Sequence, residues 1–132
     1  MLLGNTAVNG LASEQYCYLT TTGRVSGAPR EIEIWFALSG TTLYMLSGGR
    51  ERSNWVKNLH KTPQVRVRID SQTFSGVART VAADTEEDAL ARRLLLAKYS
   101  PASTDNLDNW GRTALPVAVE LDIASVESTN EE

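Results

Sequence analysis

The chain has one cysteine and one histidine in 132 residues, and each scarcity removes a class of chemistry. Cys17 has no partner for an internal disulfide, which fits a reducing compartment. It sits in the apolar run Tyr16-Cys17-Tyr18-Leu19 with no basic neighbour, so it reads as a small buried hydrophobe rather than a reactive thiol. No HExxH, CxxC or DxDxDG pattern supplies a metal-ligand set. His60 ends a short helical stretch and lacks an acidic neighbour, which leaves no Ser/His/Asp triad. No apolar run approaches the roughly 20 residues of a membrane span. Met1-Leu2-Leu3-Gly4-Asn5 lacks the basic start of a secretion signal, so the expected setting is the cytoplasm.

What is present is ordinary in bulk and uneven in detail. Apolar residues make up 42% and charged residues 22%, the balance of one globular domain spanning residues 1–132. A net charge of −3 argues against a general nucleic-acid binder. Residues 1–69 hold eight Lys/Arg against four Asp/Glu, whereas residues 70–132 hold five against twelve. A basic front half in an acidic chain points to a local anionic ligand.

Tyr16 to Thr21 is a β-branched and aromatic run and reads as a strand. Arg30 to Phe36 alternates, with Ile32, Ile34 and Phe36 on one face and Glu31, Glu33 and Trp35 on the other. Thr42 to Leu46 follows a Ser39-Gly40 turn. Ser53 is placed to cap a short helix, Asn54 to His60, which Pro63 closes. Gln64 to Ile69 and Thr73 to Val81 are further strands. Asp84-Thr85-Glu86-Glu87 opens a longer helix ending near Tyr99, with Leu90, Leu94 and Ala97 on one face. Residues 102–111 read as a polar loop or short helix, Ala114 to Asp122 as the last strand, and Ser125 to Glu132 as a frayed tail. Six strands with tight turns, one short helix and one longer one predict a mainly β (α+β) fold, an antiparallel split β-barrel.

Two basic, glycine-bearing loops stand out. Ser47-Gly48-Gly49-Arg50-Glu51-Arg52-Ser53-Asn54-Trp55 combines turn glycines, a helix start and two arginines, a setting for phosphate or carboxylate. The plainer alternative is a strand-to-helix turn with solvated arginines. Gly23 to Arg30, with Arg24, Ser26 and Arg30, is an unremarkable hairpin by itself, yet the two loops together would clamp an extended anion. Trp35 beside Glu31 and Glu33 suggests a ligand surface or a subunit interface; for Trp55 and Trp110 core packing is the alternative. The two glutamates read as solvated. Without a catalytic side-chain set, any chemistry belongs to a bound cofactor.

The segment Leu19-Thr20-Thr21-Thr22-Gly23-Arg24-x-Ser26-Gly27-x-Pro29-Arg30 resembles the opening motif of the deazaflavin-dependent nitroreductase family. That family lies in the split-barrel flavin-binding superfamily that includes pyridoxamine 5′-phosphate oxidase. Leu43 to Gly49 is similar to its next strand end, and Asn54-Trp55-Val56-Lys57-Asn58-Leu59-x-x-x-Pro63-Gln64-Val65 to its W-x-x-N-L-x-x-x-P-x-V segment. Arg112-Thr113-Ala114-Leu115-Pro116-Val117 resembles its closing strand.

The resemblance implies a homodimeric reductase that passes hydride from reduced deazaflavin coenzyme F-420 to a small electron-poor acceptor: a quinone, enone or nitroaromatic. It places Arg24, Ser26 and Arg30 on the anionic coenzyme tail. Gly48, Gly49, Arg50 and Asn54 would line the phosphate and ribityl region, with Arg52 as a further anchor and Ser53 beside them. Trp35, Met45, Trp55 and Trp110 would form the wall around ring and substrate, and Tyr44, Ser47 or solvent would give the proton. Two positions depart from the pattern. Val25 stands where the family generally has Lys, which would loosen the coenzyme tail or shift preference toward flavin mononucleotide (FMN), and Trp110 stands alone where a tyrosine pair is usual. The alternatives are an FMN-dependent oxidoreductase of the same fold, or a non-catalytic carrier of a flavin, tetrapyrrole or fatty acid.

Overall fold

The structure, a computed structural model, describes residues 10–128. Met1–Asn5 and the last four tail residues lie outside the described residues. The strands are β1 (Cys17–Thr22), β2 (Pro29–Ile34), β3 (Ala37–Ser39), β4 (Thr42–Ser47), β5 (Gln64–Ile69), β6 (Gln72–Thr80) and β7 (Leu115–Ser128). The helices are α1 (Asn54–Lys61), α2 (Glu86–Tyr99) and α3 (Asp108–Thr113). All seven strands pair antiparallel in one sheet, ordered β2-β1-β5-β6-β7-β4-β3. This is a split-barrel sheet with few helices.

The strand count is seven, not six, because the alternating run from Arg30 to Phe36 does not stay one strand. It ends as β2 at Ile34, and after Trp35-Phe36 the chain enters β3 at Ala37 on the opposite edge of the sheet: β2 pairs with β1, and β3 with β4. Side chains of α2 replace the ladder at the break. The Phe36 amide donates to the Tyr99 hydroxyl at 2.9 Å, and the Phe36 carbonyl accepts from Lys98 Nζ at 2.9 Å. A buried backbone group must find some partner, and here the helix provides it.

The main core gathers Leu19, Phe36, Leu43, Met45, Val56, Leu59, Val67, Ile69, Phe74, Val117 and Val119. A second cluster joins α2 to β4 and β7 through Tyr44, Leu46, Ala91, Leu95, Tyr99 and Ala118. Strand β4 is thus buried on both faces, which is why it reads as a continuous apolar run. β5 is half-buried and keeps its expected alternation.

Two helix details differ from expectation. The cap of α2 is Thr85, whose hydroxyl accepts from the Asp88 amide at 3.1 Å, while Asp84 sits in a positive-φ turn. Its buried stripe is Ala91, Leu95 and Tyr99, with Ala97 exposed, because the Tyr99 hydroxyl is fixed at the Phe36 corner. The segment read as a polar loop or short helix ends in a helix, α3. β7 also continues through Ser128, paired with Gln72, so that part of the tail is strand.

Candidate functional site

The β1–β2 loop closes on itself through the Gly23 amide to Ala28 carbonyl bond at 2.7 Å and the Gly27 amide to Gly23 carbonyl bond at 2.8 Å. Gly27 has φ of 77°, a conformation that favours glycine. The loop faces the start of α1 across a cleft of about 720 Å³. Arg24, Ser26, Arg30, Asn54 and Trp55 line it, so the structure brings together five of the residues singled out from the sequence.

Arg24 is held firmly there. Its Nη2 donates to Asn54 Oδ1 at 3.1 Å and its Nη1 to Asn58 Oδ1 at 2.9 Å. Arg30 Nη2 donates to Ser26 Oγ at 3.4 Å. Among the described residues neither guanidinium has a carboxylate ion-pair partner, although Glu31 also lines the cleft. Val25 is on the same wall and 94% exposed.

The second basic loop is organised differently. Ser47, 2% exposed, donates through Oγ to the Arg50 carbonyl at 3.0 Å and meets Ser53 Oγ at 2.8 Å. Ser53 therefore occupies the N-cap position of α1 without a side-chain cap bond. A Cβ at Gly49 would fall 2.6 Å from Ser53 Oγ, so any larger residue there would displace the Ser53 hydroxyl. Arg50, at φ 56°, donates to the Thr113 carbonyl at 2.6 Å and pairs with Glu51 at 3.5 Å. Gly48, Gly49, Arg50, Arg52 and Ser53 do not line the Arg24 cleft; Asn54 alone from that loop reaches it, with its neighbour Trp55. Ser47, Arg50 and Ser53 thus bond within the chain there, whereas no side-chain bond holds Arg52 among the described residues.

A second cavity of about 450 Å³ is lined by Tyr16, Glu33, Ile34, Trp35, Leu46, Leu107 and Trp110. Trp35 stacks on Tyr99 with ring centroids 4.2 Å apart and planes 2° apart, and Trp110 meets it edge-on at 5.5 Å. Gly111 sets that edge: a Cβ there would lie 2.6 Å from Leu96, so only glycine lets α3 approach α2 so closely. β2 joins the two cavities, since Arg30 to Ile32 line the first and Glu33 to Trp35 line the second.

Three candidates lie elsewhere. Met45 is fully buried in the main core, because odd residues of β4 point inward; Leu46 takes the place beside Trp35. Tyr44 is buried, and its hydroxyl donates to Glu87 at 2.7 Å. Burial, then that carboxylate, pushes its pKa up to about 12, so it is a poor proton donor. Ser47 is tied into its turn. Cys17 is buried in the core, and burial pushes its thiol up to about 12, in keeping with an inert side chain.

Residues 3–122 match the family described as F420H(2)-dependent quinone reductase. The chain belongs to that family. It is an oxidoreductase that uses coenzyme F-420. Among solved structures, an F420-H2 dependent reductase is 22% identical with a TM-score of 0.61, covering 82% of this chain and 94% of that one. HutZ, the heme storage protein of Vibrio cholerae, is 14% identical with a TM-score of 0.73, covering 93% and 92%. A Listeria innocua protein named for pyridoxamine 5′-phosphate oxidase is 15% identical with a TM-score of 0.69, covering 98% and 99%. At such identities these three share the fold.

The residues present fit the family's coenzyme. An anionic tail needs cations not already neutralised, and Arg24 and Arg30 are such a pair. A flat ring needs an apolar slot next to them, and Trp55, Ile32 and Ile34 continue the cleft toward Trp35. Sequence reasoning missed Asn58, Leu46 and Leu107 as site residues. Asn58 carried a signal: it is a polar residue between Val56 and Leu59 on the inner face of α1. Leu46 and Leu107 carried none, since apolar residues fill the core as readily as a cavity.

Proposed function

We propose that this reductase passes hydride from reduced coenzyme F-420 to a small quinone. The anionic tail of the coenzyme would be held by Arg24, Arg30, Ser26 and Asn54, with Trp55 as an apolar wall. The observation that carries the reading is the uncompensated guanidinium pair in a cleft that β2 links to an aromatic slot. When bound, the reduced coenzyme supplies the hydride. Trp35, Trp110, Leu46 and Leu107 form a slot whose walls suit a flat acceptor and exclude water from its faces. The acceptor also takes up a proton. With Tyr44 and Ser47 bonded elsewhere, that proton enters at the slot mouth, where Tyr16 and Glu33 meet solvent. A homodimer, which rests on the family resemblance, and a cytoplasmic setting, which rests on the lone cysteine, belong to the same proposal.

Fluorescence titration with coenzyme F-420 and with FMN tests the site, followed by menadione, a nitroaromatic and an enone added to the reduced complex. Arg30→Ala should weaken F-420 binding about tenfold to a hundredfold, as for one lost charge-assisted contact. Tighter binding of FMN than of F-420 would replace the coenzyme reading. Turnover of the nitroaromatic or enone without menadione would replace the acceptor.

A further inference from the structure

We infer that Asn58 is a positioning residue that fixes Arg24 in the cleft while leaving its positive charge free to act on an anionic ligand. The inference rests on the reading that this cleft holds the coenzyme tail. Asn58 is 4% exposed and sits among the apolar residues of α1's inner face, where an unbonded amide would be costly. Both ends of its amide are engaged. Oδ1 accepts from the Arg24 backbone amide at 3.2 Å and from Arg24 Nη1 at 2.9 Å, while Nδ2 donates to Thr21 Oγ1 of β1 at 3.1 Å. Asn54, one helical turn earlier and on the same face, takes Nη2 at 3.1 Å. Lys61 Nζ donates to the Arg24 carbonyl at 2.9 Å, so the backbone of that residue is held as well.

Every acceptor on this guanidinium is neutral. Aspartate has almost the shape of asparagine and would bind the guanidinium more strongly, as Glu87 and Glu120 bind Arg79. It would also cancel the charge. A clamp whose only task is to tie the β1–β2 loop to α1 gains nothing from a neutral acceptor. A clamp that must present a cation to a phosphate or carboxylate requires one. The geometry and the choice of amide over acid therefore point the same way.

The test is F-420 binding by fluorescence titration over a range of chloride concentrations, with inorganic pyrophosphate as a second probe by calorimetry. Asn58→Asp should weaken F-420 binding at low salt about tenfold to a hundredfold and flatten its salt dependence, since one cation no longer acts. Its melting temperature should stay near that of the parent. If Asn58→Asp fails to fold, the exposed Asn54→Asp places a carboxylate on Arg24 Nη2 instead. It should weaken binding and flatten the salt dependence, whereas Asn54→Ala should weaken binding less and leave that dependence intact. Unchanged salt dependence in the folded Asp variants, or equal effects of Asn54→Asp and Asn54→Ala, would overturn the inference. If Arg24→Ala and Arg30→Ala both leave F-420 binding intact, the coenzyme reading of the cleft falls separately. Pyrophosphate then decides for Asn58: weaker binding in Asn58→Asp sustains its role, and unchanged binding ends it.

Discussion

Arg79 and Arg24 are both held by side chains of neighbouring elements, but the holding groups differ in charge. Arg79 on β6 meets Glu87 of α2 at 2.7 and 2.8 Å and Glu120 of β7 at 2.7 Å. Tyr44 donates to the same Glu87 at 2.7 Å, and Thr42 to the same Glu120 at 2.8 Å. That cluster closes on itself: a cation faces two carboxylates, and the remaining acceptors are taken by hydroxyls. Arg24 has two asparagines and no acid. The first arrangement locks α2 to the sheet and leaves no positive charge for a partner. The second fixes a side chain equally well and leaves its field pointing into a cleft. A positive charge in a sequence therefore says little about function until its counter-charges are known.

Removing the cation from the closed cluster should have the largest effect. Arg79→Ala leaves Glu87 and Glu120 facing one another, and a loss of about 2 kcal/mol in stability is expected after allowing for exposure of these groups. Chemical denaturation reads it as a lower midpoint with an unchanged slope. Coenzyme affinity should not move. A weaker affinity in this variant would break the contrast, because it would make the cluster part of the site.

Acid titration sharpens the same contrast. The Arg79 guanidinium, then the Tyr44 hydroxyl, hold the Glu87 carboxyl down at about 2, against an ordinary value of 4.5. A depressed carboxylate stabilises the fold above its unfolded pKa and loses that contribution as pH falls through the folded one. Stability should therefore drop between about pH 4.5 and 2, with roughly 1 kcal/mol of the drop due to this group. In Glu87→Gln the curve over that window should be shallower by this amount. Identical curves for parent and variant would show that the ion pair contributes nothing measurable.

Much of the fold was legible because its signals are local. Val65, Val67 and Ile69 alternate with Gln64, Arg66 and Arg68, and β5 is half-buried as that period requires. The break at Trp35-Phe36 was not legible, because its cause is the Tyr99 hydroxyl sixty-three residues away. The same distinction holds at the site. Arg24, Ser26 and Arg30 share one short loop, and their grouping could be read from spacing. Met45 could not be told from Leu46, since both faces of β4 are buried and no alternation marks which one faces the aromatic slot. Gly48 to Ser53 reads as an anion loop on local grounds, its glycines and arginines. The Ser47 hydroxyl and the Arg50 guanidinium bond to the chain's own carbonyls, which only the folded arrangement reveals.

The smallest expected effect comes from adding a cation rather than removing one. Val25 is 94% exposed on the wall of the Arg24 cleft, so a lysine there displaces no core and buries no charge. An exposed cation contributes little, and Val25→Lys should tighten coenzyme F-420 about threefold at low salt. The gain should fade as salt approaches physiological strength, where charges more than about 8 Å apart are screened. Binding of FMN, with its shorter anionic tail, should gain less. A lysine inserted into the Arg79 cluster would have carboxylates waiting for it and would change stability instead of affinity. At position 25 it meets Arg24 and Arg30, two like charges, and only a bound anion makes the addition favourable. Tighter F-420 binding together with unchanged or slightly lower stability of the free protein is thus the signature of an open cleft. Unchanged binding at every salt concentration would mean that the tail does not pass the rim formed by Val25.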